Sequence, residues 1–195
     1  MRITRAATVL AFTLALAAPA VQAAPVDGKT ARKMLFGTGS AVELGQADFI
    51  DASIASAIKQ AGAQIPYYGA IAVSPGEPTS SNLMATMANY HSPQAAQKAA
   101  LDNCNSRRTT GQPCVVIATI VPKRFKPQPL TLSVEATRAF DKEYRKLPEP
   151  RALAISPSAG VFGIDRGDGG RALSKCAAAA SAKGADDCQV VVFDQ

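Results

Sequence analysis

The residues of this chain that could do chemistry are four cysteines, one histidine and one acidic turn. Cys104, Cys114, Cys176 and Cys188 fall into two pairs, none with Cys-x-x-Cys spacing, and His91 is the sole histidine. Thiol redox and zinc sites need denser clusters, so no metal is expected and the cysteines read as disulfides. His91, between Tyr90 and Ser92, is the one side chain that ordinarily titrates near neutrality. As a general base it would need a nucleophile and an orienting carboxylate. The carboxylates on offer are Asp165 and Asp168, in the turn Asp165-Arg166-Gly167-Asp168-Gly169-Gly170. Together they define one reading, a small hydrolase. The turn also contains Arg-Gly-Asp, but it lacks the alternating oxygen ligands and closing Glu of a calcium loop. Glycine for positive φ and Asp for capping explain it as a strand-to-helix connection. Ser92, directly before Pro93, reads as a helix cap rather than a nucleophile. No phosphate-cradling glycine loop opens a helix and no lysine sits in a cofactor context, so no cofactor is expected.

The cysteines belong to a pattern that occurs twice. Ile71-Ala72-Val73-Ser74-Pro75 is echoed by Leu153-Ala154-Ile155-Ser156-Pro157. Ala100-Leu101-Asp102-Asn103-Cys104 is echoed by Ala172-Leu173-Ser174-Lys175-Cys176, and each copy closes with a cysteine running into a β-branched strand. Four cysteines allow three connectivities. A duplicated unit should carry its bond with it, which favours Cys104–Cys114 and Cys176–Cys188.

These residues need elements to position them. Residues 24–66 read as an N-terminal helical arm, with a short helix near Thr30–Leu35 and a second carrying an apolar stripe from Phe49 to Ala61. Residues 67–121 form the first repeat: a strand from Tyr68 to Ser74, a partner from Leu83 to Tyr90, a helix capped by Ser92, and a strand to Val121. Tyr67 and Tyr68 read as one ring in the core and one at the surface. Residues 122–150 are a Pro-rich connector and a helix capped by Ser133. Residues 151–195 repeat the order strand, strand, helix, strand. The fold expected is α+β, with antiparallel sheets packed by helices and joined about a pseudo-two-fold as one larger sheet or two facing ones. Pro75 to Cys104 spans 29 positions and Pro157 to Cys176 spans 19. The longer hairpin of the first copy, residues 75–92, is therefore where function is expected.

Residues 1–23 read as a secretory signal. Arg2 and Arg5 give a positive start, residues 6–18 are uncharged and mostly apolar, and Val21-Gln22-Ala23 supplies small residues for cleavage near Ala23. The mature chain would be periplasmic or secreted, with no membrane span. It would also be only mildly basic: 21 Lys and Arg against 15 Asp and Glu give +6, and loss of Arg2 and Arg5 leaves +4. Eight of the basic residues lie between Lys123 and Arg151, a weak basic patch interleaved with four acids and with no aromatic stacking platform between the charges. Nucleic acid is not the expected partner.

The pattern Tyr68-Gly69-Ala70-Ile71-Ala72, then Ala95 to Cys104, then Cys114-Val115-Val116 resembles a family of small exported bacterial domains of unknown function. The likeness covers residues 67–121 and, more loosely, 151–194. It implies an exported, disulfide-bonded protein and supplies no catalytic residue. The functional expectation is a non-catalytic module that binds a protein or small ligand in the periplasm. The alternative is a periplasmic hydrolase using His91 with Asp165 or Asp168.

Overall fold

The computed structural model describes residues 24–77 and 84–195; the expected signal segment and the tip of the first hairpin lie outside the described residues. In chain order the elements are α1 (Gly28–Met34), β1 (Ser40–Leu44), α2 (Ala52–Gly62), β2 (Gly69–Val73), β3 (Met84–Met87), α3 (Pro93–Arg107), β4 (Val115–Pro122), α4 (Val134–Lys142), β5 (Arg151–Ser156), β6 (Val161–Arg166), α5 (Gly170–Ser181) and β7 (Gln189–Asp194). A single 3₁₀ turn, Tyr144–Lys146, follows α4. The protein is α+β, with two antiparallel sheets ordered β1-β4-β2-β3 and β6-β5-β7.

The same topology occurs twice. In each unit the first strand is central and its two partners flank it: β2 between β3 and β4, β5 between β6 and β7. Even the irregularity matches. Pairing slips between Ile71 and Ala72 on β2 and between Leu153 and Ala154 on β5, which leaves Ile117 and Val191 as the extra residues of β4 and β7. A bulge of this kind bends and twists the strand that carries it.

Alanine explains how the helices sit. Across the second sheet, Ala152 and Ala154 cluster with Ala172 and Cys176 of α5. At Gly163, a Cβ would run into the backbone of α5 at Ala172 and Cys176. In the first unit, Ala96, Ala100 and Cys104 form the matching buried stripe at four-residue steps, within the core that holds Ala70 and Ala72. Small side chains on both surfaces let helix and sheet approach closely, and each disulfide then ties a helix to the strand that follows it. Cys104–Cys114 and Cys176–Cys188 are both formed, with Cα atoms 6.1 Å apart in each. That is the pairing the repeat favours.

One feature goes beyond the sequence expectation, and the arrangement into two sheets is one of the two expected. The arm holds a strand as well as helices: β1 pairs with β4 from Ser40 opposite Pro122 to Leu44 opposite Ala118, making the first sheet four-stranded. The two sheets are also separate rather than one ladder. The connector helix α4 spans them. Val134 belongs to the first core, whereas Ala136, Ala139 and Phe140 pack with Leu153, Ile155 and Val192 of the second. Tyr67 and Tyr68 are both buried, ring edge to ring face at 5.3 Å, so neither is at the surface.

Candidate functional site

His91 is positioned by the turn that ends the first hairpin. After β3, Asn89 takes a left-handed conformation with φ +64°, and the Tyr90 amide donates to the Tyr68 carbonyl at 3.0 Å. His91 then immediately precedes Ser92, whose Oγ accepts from the Ala95 amide at 3.1 Å and caps α3. The imidazole is thus delivered inward rather than to solvent, and only 2% of the residue is exposed.

Its two nitrogens are both used. Nδ1 accepts from the backbone N–H of Ser133 at 3.1 Å, and Nε2 lies 2.9 Å from the carbonyl oxygen of Val161. An amide can only donate and a carbonyl can only accept, so the ring is neutral with its proton on Nε2. Burial lowers its pKa to about 4; the Val161 carbonyl and the charge of Asp187 oppose this, and Lys183 adds to it. Ser133 is itself the cap of α4, its Oγ accepting from the Ala136 amide at 3.1 Å. One side chain therefore joins the start of α3, the start of α4 and the start of β6.

The carboxylates expected beside it are elsewhere. Val161 and Asp165 are four residues apart on one strand, about 13 Å at strand spacing. Asp165 meets Lys175 Nζ at 2.9 Å and Arg171 Nε at 3.5 Å, and its pKa is lowered chiefly by the Lys175 bond. Asp168 Oδ1 accepts from the Gly170 amide at 3.0 Å, beside Gly167 and Gly169 at φ +107° and +100°. His91, Asp165 and Asp168 do not come together. Among the described residues no group of three or more His, Cys, Asp or Glu could hold a metal, and every cysteine is bonded.

Beside His91 is a cleft of about 240 Å³ between the two units, lined by Val26, Ser92, Leu130, Ile155, Gln189 and Val191 among others. Its lining mixes apolar side chains with the polar Ser92, Thr131 and Gln189. Val26 enters by pairing in parallel with β7: its amide donates to the Val191 carbonyl at 3.1 Å, and its carbonyl accepts from the Phe193 amide at 2.9 Å. A concave surface of apolar side chains with a few polar groups among them suits a ligand's hydrophobic body and one or two directed hydrogen bonds.

The first hairpin, residues 75–92, differs from its counterpart in another respect. The Glu77 carboxylate accepts from the amides of Thr109 and Thr110 at 2.5 and 3.0 Å and from Thr109 Oγ1 at 2.9 Å. Desolvation opposes ionisation, but these bonds and one from Gly111 hold its pKa down at about 2. In the second unit, Asp187 accepts from Ser156 Oγ and from the Ser158 amide at 2.8 Å. Sequence reasoning read Ser133 only as a helix cap and passed over Glu77 and Asp187. The duplicated Ser-Pro was the available signal, because Ser74 and Ser156 both turn their hydroxyls to the loop between the paired cysteines: Ser74 to the Gln112 carbonyl at 2.6 Å, Ser156 to Asp187.

Two residues of the basic stretch are paired with acids. Arg151 is drawn inward by Asp194 at 2.9 Å, while Arg145 shares Asp141 with Arg32 of α1. No described helix is long and apolar enough to cross a membrane. No family model, curated protein or solved structure matches this chain.

Proposed function

We propose that this chain is an exported, non-catalytic binding module, built from a duplicated disulfide-bonded unit, that takes a protein or small-ligand partner in the periplasm. The observation that carries it is the double occupancy of His91. A general base needs a free ring nitrogen facing substrate, and both of these hold backbone groups of other segments. Asp165 and Asp168 are committed to Lys175 and to a helix start. These commitments weigh against the hydrolase alternative built on His91, Asp165 and Asp168. The resemblance to small exported domains supports export, as do two disulfides, which persist in oxidising compartments.

The cleft beside His91 is the binding surface of this reading. Two measurements test it. Amino-terminal sequencing of protein recovered from the periplasm should begin near Ala24; an intact leader on cytosolic protein would refute export. Titration of a library of small apolar amides and acids, followed by amide NMR, should shift Val26, Leu130, Gln189 and Val191 together. Turnover of activated esters that disappears in a folded His91→Gln variant would overturn the non-catalytic assignment.

A further inference from the structure

We propose that the chain also carries an anion pocket, for a phosphate-class oxyanion, between α1 and the turn that follows α4. It is distinct from the cleft at His91 and does not depend on that reading. A hollow of about 340 Å³ lies between Gly28, Lys29 and Arg32 of α1, Tyr144 and Arg145 of the 3₁₀ turn, and Arg151 of β5. Four of its six lining residues are cations and none is an acid.

The wall is partly fixed and partly available. Arg151 is the fixed member: Nε bonds Asp194 at 2.9 Å, Nη1 bonds the Leu147 carbonyl at 2.8 Å, and the guanidinium carbon stands 5.1 Å from the centre of the Tyr144 ring. Asp194 in turn accepts from the Gly28 amide at 2.7 Å, which ties α1 to the same corner. Arg32 and Arg145 are the available members. Each reaches one oxygen of Asp141 at 3.5 Å, the outer limit of a hydrogen bond, and each side chain is 52% exposed. A guanidinium has five N–H donors in a planar fork, so among the described residues most donors of both remain free for a second acceptor. Lys29 makes no ion pair or side-chain hydrogen bond with the described residues.

The carboxylates in contact with these cations are Asp141, Asp194 and Glu149, against four positive charges. A singly positive remainder with many unused N–H groups favours a compact oxyanion, whose oxygens accept bidentate forks better than a carboxylate at the limit of reach. Sequence alone hides the cluster, because Arg32 and Asp141 are 109 positions apart.

Titration of inorganic phosphate into the intact protein at low ionic strength, followed by calorimetry and amide NMR, tests the pocket. Saturable binding is expected, with shifts at Lys29, Arg32 and Arg145. Arg32→Gln with Arg145→Gln should weaken it by about tenfold or more, and Arg32→Lys with Arg145→Lys by less, since the fork matters as well as the charge. A Lys59→Gln, Lys126→Gln control removes the same charge elsewhere and should leave affinity within about twofold. No saturable binding, or equal loss in the control, overturns the proposal. Vesicles of phosphatidylglycerol in phosphatidylcholine distinguish the source. Displacement of the protein from them by inorganic phosphate supports a headgroup in this pocket. Vesicle binding indifferent to phosphate and to the glutamine variant counts against it.

Discussion

Glu77 and Asp187 make the same clasp from opposite ends. In the first unit the carboxylate stands on the turn after the Ser-Pro strand and reaches into the loop between the cysteines, at Thr109 and Thr110. In the second it stands on the inter-cysteine loop and reaches back to that turn, at Ser156 and Ser158. The position of the clasp is kept in both units while donor and acceptor are exchanged. What the two units share is a need to close this corner, where a strand, its disulfide loop and the turn meet.

Loss of either carboxylate should loosen its own loop. Glu77→Gln is expected to speed amide exchange at Thr109 to Gly111, and Asp187→Asn at Ser158, each leaving the other unit unchanged. The folded pKa of Glu77 is about 2 against an ordinary 4.5, and that of Asp187 is also lowered. Depressed carboxylate pKa values contribute stability above the unfolded value, and that contribution falls as pH drops through the folded one. The wild-type Glu77 clasp should therefore open between pH 4.5 and 2, and exchange at Thr109 to Gly111 measured across that window checks it.

His91 should set an earlier acid transition. Its folded pKa is about 4 and its ordinary value 6.5, so between those the unfolded chain binds the extra proton. Stability is full above pH 6.5 and falls as pH drops toward 4, by on the order of 3 kcal/mol in all. Urea midpoints across that range should show the slope, and a His91→Gln variant should flatten it.

Replacing the ring altogether is a harsher test. His91→Leu strands the Ser133 amide and the Val161 carbonyl, and each buried unsatisfied group costs about 1–3 kcal/mol. A loss of roughly 2–5 kcal/mol is expected in denaturant titration. A change below about 1 kcal/mol would mean that the two bonds do not hold the units together.

Gly163→Ala should cost about 1–3 kcal/mol or more, because its Cβ would meet backbone of α5 that cannot swing aside. Gly37→Ala, where nothing lies within 4 Å, should stay within about 1 kcal/mol of wild type. The pair of melting curves separates close packing from a general effect of the substitution.

Removing either disulfide by paired Cys→Ala substitution should lower stability by about 3 kcal/mol, the entropy of closing a loop of this size. The pairs are 10 and 12 positions apart, so the two losses should be similar. Thermal unfolding of the two double variants measures both.

What was legible in the sequence was local. Ser92 before Pro93 and Ser133 before its apolar stripe mark helix starts by their own chemistry, and both serines cap as expected. The cysteine pairing followed from the recurring Ala-Leu-x-x-Cys motif. The strand Ser40–Leu44 was hidden because its five residues carry no clean alternation and its partner lies some eighty positions away. His91 reads as a loop residue for the same reason: its partners are 42 and 70 positions distant, and no periodicity announces them. Tyr67 and Tyr68 precede β2 rather than lying in it, so alternation did not apply and both rings turned inward.

Each disulfide closes over a basic residue at the surface: Arg107 and Arg108 lie between Cys104 and Cys114, and Lys183 between Cys176 and Cys188. These are the bonds a trypsin-like protease would cut. A chain nicked at any of them would remain one covalent molecule, its fragments parting only when a reductant is added.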